Sequence, residues 1–212
     1  MRKLLVAMPT QTKVFVETVD CLMKLKDRLQ RDGIVHEIKF LDGTLTHIAR
    51  DRLAKHAVNN EFTEVLWIDS DMVFAPEIYE DLSCHGKDIV CGTFISRHSP
   101  YVSCIFSKLY PPERVTDFGE DLFRVAGCGF GCVWMKTQVL KDVLLNNNGQ
   151  CFLPDPQLGE DVAFCKRAIG SGYDIWCDPT VRIGHIGNVT IWPEDGNRMR
   201  GDIQGLEGKK IE

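Results

Sequence analysis

Asp69 and Asp71 close the apolar run VLWIDSDMVF with two carboxylates one residue apart. A strand apolar enough to be buried must turn back toward water at its carboxyl end, so Asp-Ser-Asp at that point faces an open crevice. Such ends are where ligands bind in open α/β sheets. Two chemistries fit the pair. Asp is a turn former, and a carboxylate oxygen together with the phosphate oxygens of a substrate holds a hard divalent cation. The position of the pair, after the third strand of an alternating pattern, favours the cation. A second acidic pair, Glu160 and Asp161, follows Gly159 and precedes Val162, Phe164, Ala168 and Ile169 at helical spacing. Both acids therefore sit in a first helical turn, where they stabilise the helix through its dipole by about 0.3–1 kcal/mol. His185 in RIGHIG is either a structural imidazole or a ligand.

The elements that must position these residues are legible as a strand–helix alternation. Lys3 to Met8 reads as a strand ended by Pro9, and Val14, Val19, Leu22, Met23, Leu25 and Leu29 recur at helical spacing until Gly33. Val35 to Phe40 is a second strand, Leu45 to Val58 a helix carrying His47, Arg50 and Arg52, and Val65 to Ile68 a third strand. This order predicts a doubly wound, mostly parallel sheet. A short helix runs to about Leu82 after Ala75-Pro76, and Asp88 to Cys91 is another strand. The second half is mixed. Tyr101 to Phe106, Leu122 to Val125, Cys132 to Met135, Asp174 to Cys177 and Val181 to Ile186 read as strands, Thr137 to Leu145 as a helix, and a further helix starts near Glu160. One domain over residues 1–189 is expected, with 190–212 as an aperiodic, flexible tail or lid.

Composition narrows the partners. At 212 residues and 44% hydrophobic, the chain buries a core without needing disulfides or a structural metal. A formal charge of −5 argues against a nucleic-acid surface, and no dense Lys/Arg run or transmembrane stretch suggests a membrane partner. Nine cysteines form no CxxC pair, and MRKLLVAMPTQ reaches Pro9 before a signal-like apolar core develops, so a reduced, cytoplasmic protein is expected. Cys84, His85 and Cys91 lack the second ligand pair that a zinc site needs.

IDSDMVF after the third strand, followed in order by GCGFGCVWMK and LGEDVAFCKRA and a late His, resembles the GT-A glycosyltransferases, most closely family 2-like members, over about residues 3 to 187. The resemblance implies a Rossmann-like GT-A domain that binds manganese or magnesium and a nucleoside diphosphate sugar, with UDP as the expected nucleotide. It implies Asp71 as metal ligand, His185 as a further ligand, and Asp69 and Ser70 beside the metal and the ribose or sugar hydroxyls. Imidazole beside carboxylate tilts such a site toward manganese, and Gly184 and Gly187 let backbone approach a diphosphate closely. Asp161 becomes the base toward the acceptor hydroxyl, with Glu160 in reserve. The same helix dipole is expected to keep Asp161 ionised and to weaken it as a base. Pro9, Thr10 and Gln11 match the place that receives base and ribose. Arg50 in THIARDRLAKHAV matches an Ala-Arg-Asn pattern whose Arg approaches the nucleotide, although Asp51 stands where Asn is expected. On helical grounds alone Arg50 is a solvated or paired surface residue.

The Gly127-Cys128-Gly129-Phe130-Gly131 segment is not a phosphate loop, because no helix opens directly after it. Its glycines suggest close approach, and the resemblance places Gly129 beside the donor sugar and acceptor, with Trp134 buried and Lys136 ending the strand. Trp176 and Trp192 are candidates for stacking on a sugar or for packing. The expected activity is transfer of a sugar to a glycan or other hydroxyl acceptor with inversion. A sugar nucleotidyltransferase is the first rival, but it should carry a basic glycine-rich loop after the first strand, and AMPTQTK is not one. The second is a silent nucleotide-sugar-binding module of the same fold.

Overall fold

Alternating segments of the first half fold into successive strands and covering helices. The computed structural model describes residues 2–187 and 190–191. β1 (Lys3–Pro9) is buried from Leu4 onward, as a strand covered on both faces must be. α1 (Val16–Arg31) turns Cys21, Leu22, Leu25 and Leu29 inward and ends where Gly33 adopts a φ of 67°. β2 (Val35–Leu41), α2 (Thr46–Asn59) and β3 (Glu64–Ile68) follow. α2 buries Ala49, Arg50, Leu53, Ala54 and Ala57, and its alanines let the helix lie close to the sheet with Arg50 trapped beneath it. β4 (Met72–Val73), α3 (Ile78–Ser83) and β5 (Ile89–Thr93) complete the first half.

The second half is mixed. It runs β6 (Ile105–Leu109), β7 (Pro112–Arg114), β8 (Phe123–Val125), β9 (Gly127–Cys128), β10 (Cys132–Lys136), α4 (Thr137–Asn146), α5 (Glu160–Gly170), β11 (Ile175–Arg182), β12 (Gly184–Ile186) and β13 (Thr190–Ile191). The main sheet has the order β2-β1-β3-β10-β5-β11-β8. β10 pairs antiparallel with both β3 and β5, and β8 antiparallel with β11, so the other five strands of this sheet share one direction. Two small sheets flank it, β13-β12-β4 and β7-β6-β9.

One face of the sheet packs Leu53, Trp67, Phe130, Phe152 and Phe164 beneath α2, α4 and α5, and the other packs Leu22, Leu25, Leu29, Tyr79, Leu82 and Trp134 beneath α1 and α3. Phe152 and Phe164 stack with ring centroids 4.7 Å apart. His85 Nε2 pairs with Asp178 Oδ2 at 2.7 Å and ties the end of α3 to β11. Lys136 at the end of β10 pairs with Asp88.

Three expectations shift. The strand expected over Tyr101 to Phe106 lies instead at β6, with only an isolated bridge from Ser103 to Ile95 before it. Of the two strands expected around Asp178-Pro179, Asp174 to Cys177 runs on into Val181 and Arg182 as one strand, β11, whose register shifts between Cys177 and Arg182, while Gly184 to Ile186 form β12 in another sheet. Proline lacks the ladder N–H, and such an irregularity is where it is tolerated. Strand structure does not end at Ile186, because Ile191 pairs with His185 and Thr190 with Ile186. The remainder of the expected tail or lid, including Trp192, lies outside the described residues. Among the described residues, no helix is long and apolar enough to cross a membrane.

Candidate functional site

Parallel direction brings the carboxyl ends of β1, β3 and β5 to one edge of the sheet, the edge where open α/β sheets bind ligands. A cavity of about 200 Å³ opens there, walled by Pro9, Gln11 and Lys13 on one side and by Asp69, Ser70, Asp71 and Arg97 on the other. The Phe15 N–H donates to the Ser70 carbonyl at 3.0 Å and holds the two walls together. Thr10 sits between Pro9 and Gln11 but turns inward and is 6% exposed.

His185 reaches Asp71 through backbone pairing. β12 pairs with β4 in the register His185 to Met72, and the Ile186 N–H donates to the Asp71 carbonyl at 2.8 Å. His185 Nδ1 lies 2.8 Å from the Ile95 carbonyl, which can only accept, so Nδ1 carries the proton. Nε2, the other ring nitrogen, lies 3.5 Å from Asp71 Oδ2. That oxygen also accepts from Arg97 Nη1 on the cavity side, and a cation in the place of the guanidinium would be held by Oδ2 together with unprotonated Nε2. Nitrogen and carboxylate oxygen suit manganese, with phosphate and water oxygens filling the other positions. The pair therefore fits a metal to which the protein contributes few ligands.

Asp69 does not complete that set. Arg50 Nη2 donates to both its oxygens, at 2.9 and 3.1 Å, and among the described residues no three His, Cys, Asp or Glu side chains converge as a metal cluster. Arg50 itself, expected at the nucleotide, lies behind Asp69 with its side chain only 3% exposed. Its other arm donates to Glu160 Oε1 at 2.7 Å, and its Cζ stands 5.3 Å from the centre of the Phe130 ring. Burial opposes the guanidinium charge, but Asp69, Asp161 and Glu160 outweigh it and raise the Arg50 pKa. Burial likewise pushes the Asp69 carboxyl upward against the pull of Arg50, although 27% of the Asp69 side chain still reaches the cavity.

Replacing Arg50 with Met should leave these acids facing one another without their cation. Removing one partner of a buried pair costs roughly 3–5 kcal/mol. Asp69 is 27% and Glu160 26% exposed, which places the loss near the lower end. Urea unfolding reads it directly. A loss below about 1 kcal/mol, the scale of an exposed pair, would mean that water screens the cluster.

Asp51 accounts for the departure noted beside Arg50. Its Oδ1 accepts the N–H groups of Cys151 at 2.7 Å and Phe152 at 2.9 Å, fixing the loop that leads into α5. At the start of α5, the Val162 N–H donates to Asp161 Oδ1 at 2.7 Å. A Cβ on Gly129 would stand 3.5 Å from Asp161 Oδ2 and 2.8 Å from Phe94 Cζ, so only glycine lets the chain pass here. Phe94 in turn meets the His185 ring edge-on at 5.7 Å. Gly129 and Phe94 thus lie packed between Asp161 and His185. Burial is the main influence on Asp161 and, with Glu160, raises its pKa over the opposing effects of Arg50 and backbone N–H groups. The direction differs from the expected weakening of the base, since desolvation and Glu160 exceed the pull of Arg50 and the backbone N–H groups.

Other candidates fall outside this region. Trp176 packs on the sheet face covered by α1 and α3 and under Lys87, whose Nζ is 3.9 Å from the ring centre. Trp134 is buried at 2% exposure. A hollow of about 360 Å³ between α4 and α5 is lined by Asn146, Asp155, Lys166 and Arg167, but Lys166 is already paired with Asp155 at 3.0 Å. Sequence reasoning missed Lys13, Phe94 and Arg97. Only their positions just after strands of one direction signal them.

No protein-family profile matches the chain, and no curated protein matches it in sequence. Solved structures do. A197 from STIV superposes with a TM-score of 0.57 at 18% identity, covering 88% of this chain and 86% of that one. A mutant of the Drosophila β-1,4-galactosyltransferase 7, complexed with manganese, UDP-Gal and xylobiose, superposes with a TM-score of 0.51 at 13% identity, covering 100% of this chain and 81% of that one. The shared architecture is the GT-A type of α/β fold.

Proposed function

We propose that this chain is a metal-dependent, inverting glycosyltransferase that moves a sugar from a nucleoside diphosphate sugar, expected to be a UDP-sugar, to the hydroxyl of a glycan or other acceptor. The observation that carries this reading is the arrangement along one sheet edge. Asp71 lines the cavity with its Oδ2 3.5 Å from His185 Nε2, and Asp161 lies beyond the Phe94 and Gly129 that pack behind His185. Manganese or magnesium, once bound, offsets the negative charge that develops on the departing diphosphate.

The residues divide the remaining work. Pro9 and Gln11, with Thr10 behind them, receive base and ribose at the end of β1. Asp69 has both oxygens occupied by Arg50, yet a carboxylate offers about four lone-pair sites and can still accept from ribose or sugar hydroxyls. Ser70 completes that side of the cavity. Arg50 binds Glu160 and Asp69 but makes no hydrogen bond to Asp161, which leaves Asp161 as the acid available to the acceptor. Asp161 takes the proton of the acceptor hydroxyl as that oxygen attacks the face opposite the diphosphate, which inverts the anomeric centre.

A thermal-shift screen of nucleotide sugars with and without manganese tests the reading, because a ligand of the native state raises its apparent stability. A manganese-dependent rise with a UDP-sugar is expected. No rise with any nucleotide sugar would contradict it. His185→Ala should weaken manganese affinity roughly 10–100-fold, as loss of a supporting group does. Full retention would return His185 to a structural role.

A further inference from the structure

The cavity wall holds two carboxylates, Asp69 and Asp71, and two cations, Lys13 and Arg97. Asp69 is compensated from behind by Arg50. Asp71 is compensated from the cavity side, where Arg97 Nη1 donates to Asp71 Oδ2. That oxygen is also the one facing His185 Nε2 at 3.5 Å. The two members of the ion pair differ in freedom. The Asp71 side chain is 10% exposed, whereas that of Arg97 is 40% exposed and projects from the loop after β5. Arg97 is therefore the member that can leave.

A guanidinium and a divalent cation compete for one carboxylate oxygen, since like charges a few ångströms apart repel. A cation on the Asp71–His185 site therefore weakens the hold of Asp71 on Arg97. A nucleoside diphosphate entering the same cavity brings phosphate oxygens, which the planar guanidinium fork matches in a bidentate fashion. We propose that Arg97 is a diphosphate-binding residue with two positions, capping Asp71 in the unliganded chain and passing to the diphosphate of the donor when a cation takes Asp71. The proposal rests on the donor-site reading above and adds a coupling to it. The cation alone competes with Arg97 for Asp71, while the diphosphate gives Arg97 another partner, so each ligand favours the other.

Titration calorimetry with manganese alone, UDP alone and UDP in saturating manganese tests this on the wild-type chain, Arg97→Ala and Arg97→Lys. Thermal melts confirm that each variant is folded. Arg97→Ala is expected to bind manganese alone more tightly than wild type, by about 5-fold or more, the low end of ordinary coupling. The same variant should bind UDP in manganese roughly 10-fold more weakly, the scale of one lost charge-assisted hydrogen-bonding pair. Arg97→Lys keeps the charge without the fork and should fall between the two. The opposite signs matter, because a merely structural loss would weaken both ligands together. Unchanged or weaker manganese binding by Arg97→Ala, or unchanged UDP binding, overturns the role of Arg97. A wild-type chain that binds no UDP under any condition overturns the donor-site reading itself.

Discussion

Asp161→Asn should slow sugar transfer by roughly 10²–10⁴, the usual contribution of a positioned general base, while donor and metal binding survive. Asn keeps the size of the side chain and an oxygen for the Val162 N–H, now 2.7 Å from Oδ1, and Arg50 keeps Asp69 and Glu160 as partners. The direction of the stability change is also informative. Burial raises the Asp161 pKa in the folded chain above its unfolded value. Its ionised form therefore costs stability at neutral pH, a cost that disappears as pH falls through the folded value toward the unfolded one. Asn removes that cost, so Tm should hold or rise. A helix-end carboxylate acting through the dipole alone would instead lose about 0.3–1 kcal/mol on neutralisation and leave the rate untouched. A folded Asp161→Asn chain with near wild-type transfer would remove Asp161 as the base, and the same pair of measurements on Glu160→Gln would test its neighbour. In the wild-type chain, activity should fall on acidification at a pH above the ordinary carboxylate range, because the base must be deprotonated.

Asp71→Ala should abolish manganese-dependent binding of UDP and leave the chain folded. The backbone role of this residue, accepting the Ile186 N–H at 2.8 Å, does not need the side chain. His185 alone cannot replace the lost carboxylate oxygen, which is the hard ligand of the pair. Calorimetry with UDP, with and without manganese, reads the effect. Metal dependence equal to that of wild type would place the ion elsewhere.

The sequence discloses its sheet more readily than its site. β1, α1, β2, α2 and β3 are legible because each is long enough for its apolar period to show, and Gly33 stops α1 where a positive φ is needed. β4 and β12 are two and three residues long, too short for any period, yet their pairing is what delivers His185 to Asp71. Arg50 was visible as a helix residue, but its two partners lie on β3's end and on α5, and no local pattern encodes that meeting. Alanines at 49, 54 and 57 were the available clue, since a helix with small residues facing the sheet leaves room for a buried guanidinium. Arg97 was illegible for another reason. It sits in a loop, where only the direction of the preceding strand gives a side chain its place.

The most direct test of the account follows one reaction by NMR: the chain with manganese, a panel of UDP-sugars and hydroxyl acceptors, beside Asp71→Ala and Asp161→Asn. Release of UDP and a product of inverted anomeric configuration are expected, dependent on manganese, absent with Asp71→Ala and slowed with Asp161→Asn. Turnover that proceeds equally without manganese and in both variants would contradict it.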